Sequence, residues 1–212
     1  MVKNKHYRMF LDHGIIETIN ETQLTNALNN INGIRGSYTK EARSLLITLY
    51  YTGARPNEIL NLKAKAFTTE KSYLKILVPG SKKGLPRTLY LRISKPLVKE
   101  LHEYATSCMP EMYLFYHYRS NYTRQHPTKK GITERTEVTN RLRYYFDLWF
   151  KDIFQDSINP YYLRHNRMSK LAEAGASMQE LRMLKGSRTY ESVIPYLHMS
   201  SKTGKQLAKK IN

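Results

Sequence analysis

Four stretches of the sequence carry side chains suited to chemistry on a phosphate group. Arg55 follows a glycine in TGARPNEIL, Arg164 lies in YYLRH, and two lysines occupy the turn SKKG at 81–84. Near the end, VIPYLHMSSKTGKQLAKKIN holds Tyr196 ahead of a lysine-rich tail. Guanidinium groups bind non-bridging phosphate oxygens in two-pronged geometry and stabilise charge that builds up in a transition state. A tyrosine can be the nucleophile, because a phosphotyrosyl link conserves the energy of the broken bond for rejoining.

The net charge indicates which phosphate-bearing partner these groups would meet. The chain has 212 residues, with 35 Lys and Arg against 17 Asp and Glu, which gives a net charge of +18. A compact domain with this surplus repels itself unless a polyanion neutralises it, so nucleic acid is the leading partner. Ribosome-associated and membrane-surface proteins are also basic, so charge alone leaves those classes open.

The composition also excludes several kinds of site. A single cysteine, Cys108, cannot form an internal disulfide or a thiolate metal centre. There is no dense carboxylate cluster for magnesium, no HExxH motif and no Walker-type loop, so we expect neither metal nor cofactor. No apolar run reaches the length of a membrane span, and we expect a cytoplasmic protein without membrane contact.

The elements that must position these residues are mainly helices. Gly53 and Gly186 are placed to end helices, and Ser177 with Glu180 matches a capping box. The pattern predicts an α+β fold, mainly α-helical, with a small antiparallel sheet. Helices are predicted over 39–53, 56–67, 94–106, 136–154, 161–174, 177–185 and 191–200, and a β-hairpin over 72–80 and 86–93.

In order and spacing, these blocks resemble the catalytic domain of the tyrosine recombinases, the integrase family. LLITLYYTGARPNEILNL resembles the first-arginine motif, with Arg55 as the arginine and Glu58 as its supporting acid. VPGSKKGLPRTLYL resembles the hairpin that bears the family's lysine, which maps to Lys82. YYLRHNRMSKLAEAG resembles the HxxR block and makes Arg164 the second arginine. SVIPYLHMS resembles the nucleophile helix, in which Tyr196 has the register of the nucleophile.

The chain departs from the family pattern at two positions. Tyr161 stands where HxxR has histidine, as in the YxxR variants among archaeal mobile-element integrases, and a phenol is a poor general base near neutral pH. Ser187 stands where the family has histidine or tryptophan, and it could give one hydrogen bond to the phosphate. His165 or His198 could compensate, and the spacing favours neither.

The resemblance implies a mechanism without metal or ATP. Arg55, Lys82, Tyr161 and Arg164 would surround one scissile phosphate. Tyr196 would attack it to form a 3′-phosphotyrosyl bond, and Lys82 would protonate the leaving 5′-oxygen. The resemblance also implies a homo-tetramer on double-stranded DNA, a monomer off DNA, and a cytoplasmic location on nucleoid or host-cell DNA.

Further basic residues are candidates for contacts with the DNA backbone. They are Arg141, Arg143, Lys83, Lys202 and Lys205. The two arginines lie on the polar face of a predicted helix and could equally form a solvated face. In the same way Tyr196 could merely pack, and Glu58 could either cap a helix or brace the arginines.

The resemblance covers about residues 20–205, so we expect one catalytic domain over 1–212 with a basic tail at 201–212 and no N-terminal core-binding domain. Two rival functions stay open. One is DNA binding by a catalytically weakened recombinase fold, and the other is DNA relaxation of the type IB topoisomerase kind.

Overall fold

The computed structural model describes residues 18–33, 38–80, 84–119, 142–154 and 159–198. Its helices are α1 Glu21–Asn32, α2 Thr39–Thr52, α3 Pro56–Leu60, α4 Pro96–Ser107, α5 (helical residues 142–149), α6 Tyr161–Glu173, α7 Met178–Lys185 and α8 Ile194–His198. Its strands are β1 Phe67–Glu70, β2 Tyr73–Val78 and β3 Arg87–Arg92. The predicted mainly helical α+β fold is confirmed. No helix in the described ranges is long and apolar enough to cross a membrane.

Helix α2 is the centre of the fold and packs against α1, α4 and α6. Its apolar side chains, among them Leu45, Leu46 and Leu49, are almost completely buried, and so are the polar side chains of Ser44 and Thr48. A helix buried on nearly every side belongs to the interior of a domain. Gly53 ends it in the left-handed conformation, with φ 59°, as the sequence predicts.

The sheet has three antiparallel strands in the order β1-β2-β3, one more than the predicted hairpin. The helix predicted over 56–67 ends at Leu60, and β1 begins at Phe67. Only the first of the four β1 residues is buried, so this strand has no hydrophobic alternation that a sequence pattern could reveal. On β2 and β3 the alternation is clear, and one face lies on the core.

A second, smaller cluster holds the end of the chain in place. Met168 of α6, Leu181 of α7 and Val193 pack together with Tyr196 of α8. The predicted capping box at the start of α7 is present: Ser177 N donates to Glu180 Oε2 at 2.7 Å, and Glu180 N donates to Ser177 Oγ at 3.2 Å.

The loop that joins β2 and β3 is attached to the segment that leads to Tyr196. Leu85 N donates to Gly186 O at 3.0 Å, and Gly84 forms a β-bridge with Ser187. A Cβ atom on Gly186 would lie 2.5 Å from Arg87 Nη1, and the φ of Gly186 is +62°. Gly186 is therefore required both for the left-handed helix end and for the passage of the Arg87 side chain.

We predict that Gly186→Ala destabilises the protein more than Gly175→Ala does. Both glycines have positive φ, so each substitution should cost about 1–2 kcal/mol of backbone strain. A Cβ on Gly175 meets nothing within 4 Å, whereas one on Gly186 must displace Arg87. Urea unfolding of the two variants measures the difference, and equal losses would contradict this account.

Candidate active site

Arg55 is held in place by Glu58, three residues further along the chain. Arg55 is the N-cap of α3, and its Nη1 donates to Glu58 Oε1 at 2.7 Å. The Arg55 backbone N donates to Glu58 Oε2 at 3.1 Å. Glu58 therefore both caps the helix and braces the arginine, which combines the two roles predicted as alternatives.

Glu58 also binds a second arginine, Arg87, from the first position of β3. Arg87 Nη2 donates to Glu58 Oε2 at 2.7 Å, and the Arg87 side chain is only 6% exposed. Its Nε and Nη1 are buried without a hydrogen-bond partner in the described structure. Burial raises the pKa of the Glu58 carboxyl, but the hydrogen bond and charge of Arg87 and the hydrogen bonds from Arg55 outweigh it and hold the pKa below its usual value.

Arg164 lies in the first turn of α6 and connects the ends of two other helices. Its Nη1 donates to Gly53 O at 2.9 Å, and its Nη2 donates to Lys185 O at 2.5 Å. Carbonyl groups at helix C-termini lack intrahelical partners and carry partial negative charge. Two such carbonyls thus compensate the positive charge of Arg164, which is only 4% exposed.

The pKa of Arg164 shows which charges lie near it. Burial, and then the positive charges of Arg55 and Arg87, lower this pKa to about 10. Glu58 and Tyr196 act in the opposite direction. Because charges influence one another strongly only over short distances, the two predicted arginines and the predicted nucleophile share one neighbourhood.

Tyr196 is buried, with 3% of its surface exposed, and its hydroxyl contacts a histidine. The distance from Tyr196 Oη to His165 Nδ1 is 2.6 Å. His165 directly follows Arg164 on α6. Of the two histidines that could compensate for the missing HxxR histidine, it is the one with a described contact to Tyr196. The side chain of His198 lies outside the described part of the structure.

Lys185 completes the surroundings of Tyr196. Its Nζ lies 4.8 Å from the centroid of the Tyr196 ring and donates to Ser192 O. Burial, then the charges of Arg164 and Arg55, lowers the pKa of Lys185 to about 8. Burial, and then the charges of Lys185 and Arg164, lower the pKa of His165 to about 3. Its imidazole is therefore neutral at pH 7.

The two residues that depart from the family pattern lie close to this group. Tyr161 begins α6 and is half-buried; one helical turn separates it from Arg164, so the two share a face. Ser187 is 8% exposed, and its Oγ accepts a hydrogen bond from Ser192 Oγ at 2.7 Å.

Arg143 was predicted as a contact to the DNA backbone. It lies on α5 and is half-buried. The remaining predictions lie outside the described residues. They are Lys82, Lys83, Arg141, Lys202 and Lys205.

Sequence reasoning missed Arg87 and Lys185. For Arg87 a signal existed, because it alternates with Leu89 and Leu91 in PRTLYLRI and therefore faces the core. A buried arginine needs hydrogen-bond acceptors, and in the structure Glu58 supplies one to Arg87. For Lys185 no local sequence pattern gave a signal.

No group of three His, Cys, Asp or Glu residues suited to a metal ion occurs in the described ranges.

We predict that Glu58→Gln costs roughly 3 kcal/mol of stability, because it removes the counter-charge of two arginines in a buried position. Glu111→Gln is the matched control, since Glu111 also bridges two cations, Lys63 and Lys65, but is 67% exposed. Its effect should be small. Chemical unfolding of both variants measures the contrast, and a Glu58 effect as small as that of Glu111 would contradict the bracing role.

We also predict a pH dependence of stability from His165. Its pKa in the folded protein is below the unfolded value, so the unfolded chain binds the proton more readily as pH falls from about 6.5 toward 3. The part of the stability that depends on His165 should therefore be complete above pH 6.5 and decline below it, by on the order of 1 kcal/mol per pH unit. In urea unfolding, His165→Asn should flatten this decline and Tyr196→Phe should retain it. If the free energy of unfolding falls with pH equally in wild type and His165→Asn, the pH dependence does not come from His165.

Comparison with known proteins places this arrangement in a family. The model of the phage integrase family matches residues 17–203. The tyrosine recombinase XerA of Pyrococcus furiosus is 26% identical over 171 residues, which cover 80% of this chain and 54% of XerA. A tyrosine recombinase of Pseudothermotoga lettingae is 26% identical over 157 residues, covering 73% of this chain and 48% of that protein. The chain thus spans about half the length of these curated relatives.

Solved structures show the same fold. A XerA recombinase structure matches with a TM-score of 0.61 and 18% identity, over 95% of this chain and 65% of that one. The XerH recombinase bound to difH substrate after cleavage matches with a TM-score of 0.60 and 20% identity, over 90% of this chain and 52% of the XerH chain. The catalytic domain of bacteriophage HP1 integrase matches with a TM-score of 0.53 and 15% identity, over 92% of this chain and 95% of the HP1 domain. Since the family model matches most of its length, the chain belongs to the phage integrase family.

Proposed function

We propose that this chain catalyses site-specific DNA recombination, by cleaving and rejoining strands through a 3′-phosphotyrosyl intermediate. The observation that carries the proposal is how Arg164 connects the sequence blocks of Arg55 and Tyr196. It donates to Gly53 O, two residues before Arg55, and to the backbone O of Lys185, whose Nζ lies 4.8 Å from the centroid of the Tyr196 ring. Metal-free phosphoryl transfer requires a nucleophile, which a phenol can supply, and cations that stabilise the transition state, which a pair of guanidiniums can supply. The surplus of positive charge around them suits a phosphodiester.

Each side chain has a role in the proposed reaction. Arg55 and Arg164 bind the non-bridging oxygens, and Tyr161 donates a further hydrogen bond. The Tyr196 oxygen attacks phosphorus, so a P–O bond to tyrosine forms and the P–O5′ bond breaks. Lys82 gives its proton to the leaving 5′-oxygen. A 5′-hydroxyl from a partner strand then reverses these steps, so that no external energy source is consumed.

Two solved structures support this proposal. The XerH structure is a site-specific recombinase with its DNA substrate, and the Tn1549 transposon integrase is bound to circular intermediate DNA. By analogy we infer that this chain acts on double-stranded DNA as a homo-tetramer, in the cytoplasm of a cell that carries an archaeal-type mobile element. The phosphate contacts are assigned to Arg141, Arg143, Lys83, Lys202 and Lys205, and residues 1–212 form one catalytic domain.

A second candidate is DNA binding without catalysis. The observation that favours it is the burial of Tyr196, since a nucleophile that is 3% exposed must move before it meets a phosphate. The Ser187 hydroxyl is also already bonded within the protein, to Ser192. Relaxation of DNA without a partner site, as by a type IB topoisomerase, is the third outcome of the test.

We predict that the protein forms a denaturant-resistant adduct with a nicked suicide duplex, and that Tyr196→Phe abolishes it. Phenylalanine lacks the oxygen that forms the phosphodiester but fills the same space in the second cluster. Tyr190→Phe is the control, because Tyr190 is 43% exposed, stacks on Arg182 and has no place in the proposed reaction. Denaturing gel electrophoresis of labelled DNA measures the adduct.

Three results separate the candidates. An adduct with strand exchange between two sites supports recombination, and an adduct with relaxation alone supports the topoisomerase-like activity. Binding in a gel-shift assay without any adduct on cognate sites would establish the non-catalytic function instead.

A further inference from the structure

The hydroxyl group of Tyr196 has a partner that can take its proton. Its oxygen lies 2.6 Å from His165 Nδ1, and the phenol is buried away from solvent. A phenol has a pKa of about 10, so attack on phosphorus at neutral pH requires removal of the proton during the reaction. Because bulk water does not reach a buried hydroxyl freely, the acceptor must come from the protein.

The other charged groups nearby are poorly placed for this task. Lys185 Nζ lies over the face of the Tyr196 ring and donates to Ser192 O, so it contacts the ring and a carbonyl. Arg164 is always protonated and is occupied with backbone carbonyls. Glu58 has both carboxylate oxygens bound to Arg55 and Arg87.

We propose that His165 is a catalytic residue that accepts the Tyr196 proton at Nδ1 while the phenolic oxygen attacks the phosphorus. This assignment rests on the proposed function of the chain. The O–H bond of Tyr196 breaks, its proton binds Nδ1, and the oxygen forms the new bond to phosphorus. The P–O5′ bond breaks, and the leaving oxygen takes a proton from Lys82. In rejoining, the imidazolium returns its proton to the phenolic oxygen.

The charges around His165 couple this step to DNA binding. Burial, and then the positive charges of Lys185 from α7 and Arg164 from α6, lower the pKa of His165, so the free imidazole is neutral and can accept a proton. They also oppose formation of an imidazolium as long as the site lacks an anion. A bound phosphodiester offsets both cations, so proton transfer becomes favourable when substrate is present. The free protein thus keeps its nucleophile in the unreactive phenol form.

The test uses single-turnover formation of the adduct on a suicide duplex. His165→Asn places an amide where Nδ1 was, so it can accept a hydrogen bond but cannot take a proton. We expect its rate to fall by about 10²–10⁴-fold at neutral pH, with unchanged DNA binding, and to rise with pH more steeply than wild type. Tyr190→Phe should keep the wild-type rate and pH profile.

A substrate with sulfur in place of the bridging 5′-oxygen distinguishes the two proton transfers. A thiolate leaves without a proton, so this substrate should restore a Lys82→Ala variant and leave His165→Asn slow. Recovery of His165→Asn on the sulfur substrate, or a wild-type rate on the ordinary one, overturns the assignment.

The tautomer of His165 in the free protein provides a test that needs no DNA reaction. The proposal requires the proton on Nε2, with Nδ1 accepting from the Tyr196 hydroxyl, and ¹⁵N chemical shifts of the ring report this directly. A proton on Nδ1 overturns the proposal even if wild type forms adducts. Absence of a wild-type adduct refutes the proposed function, whereas the tautomer decides on His165 by itself.

Discussion

The buried carboxylate of Glu58 is the interaction on which the arrangement of the site depends. It is 5% exposed and holds one arginine from the start of α3 and another from the start of β3. A carboxylate in that position would be costly alone, and two buried guanidiniums would be costlier still. Together they fix the sheet against the helix that carries Arg55. Since Arg87 passes directly over Gly186, the same ion pairs also determine how close the Tyr196 segment comes.

A second constraint is the meeting of two helix C-termini. Helices α2 and α7 both end in left-handed glycines, Gly53 and Gly186, and each offers a carbonyl to Arg164. The carbonyl ends of helices attract cations, which explains how this arginine stays charged although it is almost fully buried. The glycines therefore do more than end helices. They let two helix ends converge on one guanidinium.

The parts of the site that local patterns encode could be predicted from the sequence. Gly53, Gly186 and the Ser177–Glu180 capping box each act within a few residues, and the mainly helical fold follows from hydrophobic periodicity. Arg55 and Arg164 could be singled out because each has the position of an arginine in a family motif.

The rest depends on contacts between distant segments. Arg87 and Glu58 are 29 residues apart, and Tyr196 and His165 are 31 apart. No spacing rule connects such pairs. Strand β1 was missed for a different reason, since its residues are mostly exposed and carry no hydrophobic alternation.

The charge balance of the site favours the binding of an anion beside the buried Tyr196. Arg55, Arg87, Arg164 and Lys185 influence one another, and in the described structure Glu58 is the carboxylate among them. Burial first, and then this excess of positive charge, lowers the pKa values of Arg164 and Lys185, so the charge excess is a cost to the folded protein that an anion would relieve. A phosphodiester is the anion whose shape fits guanidinium pairs. In the proposed reaction, neutralisation by that anion removes the repulsion that opposes proton transfer from Tyr196 to His165 across their 2.6 Å contact.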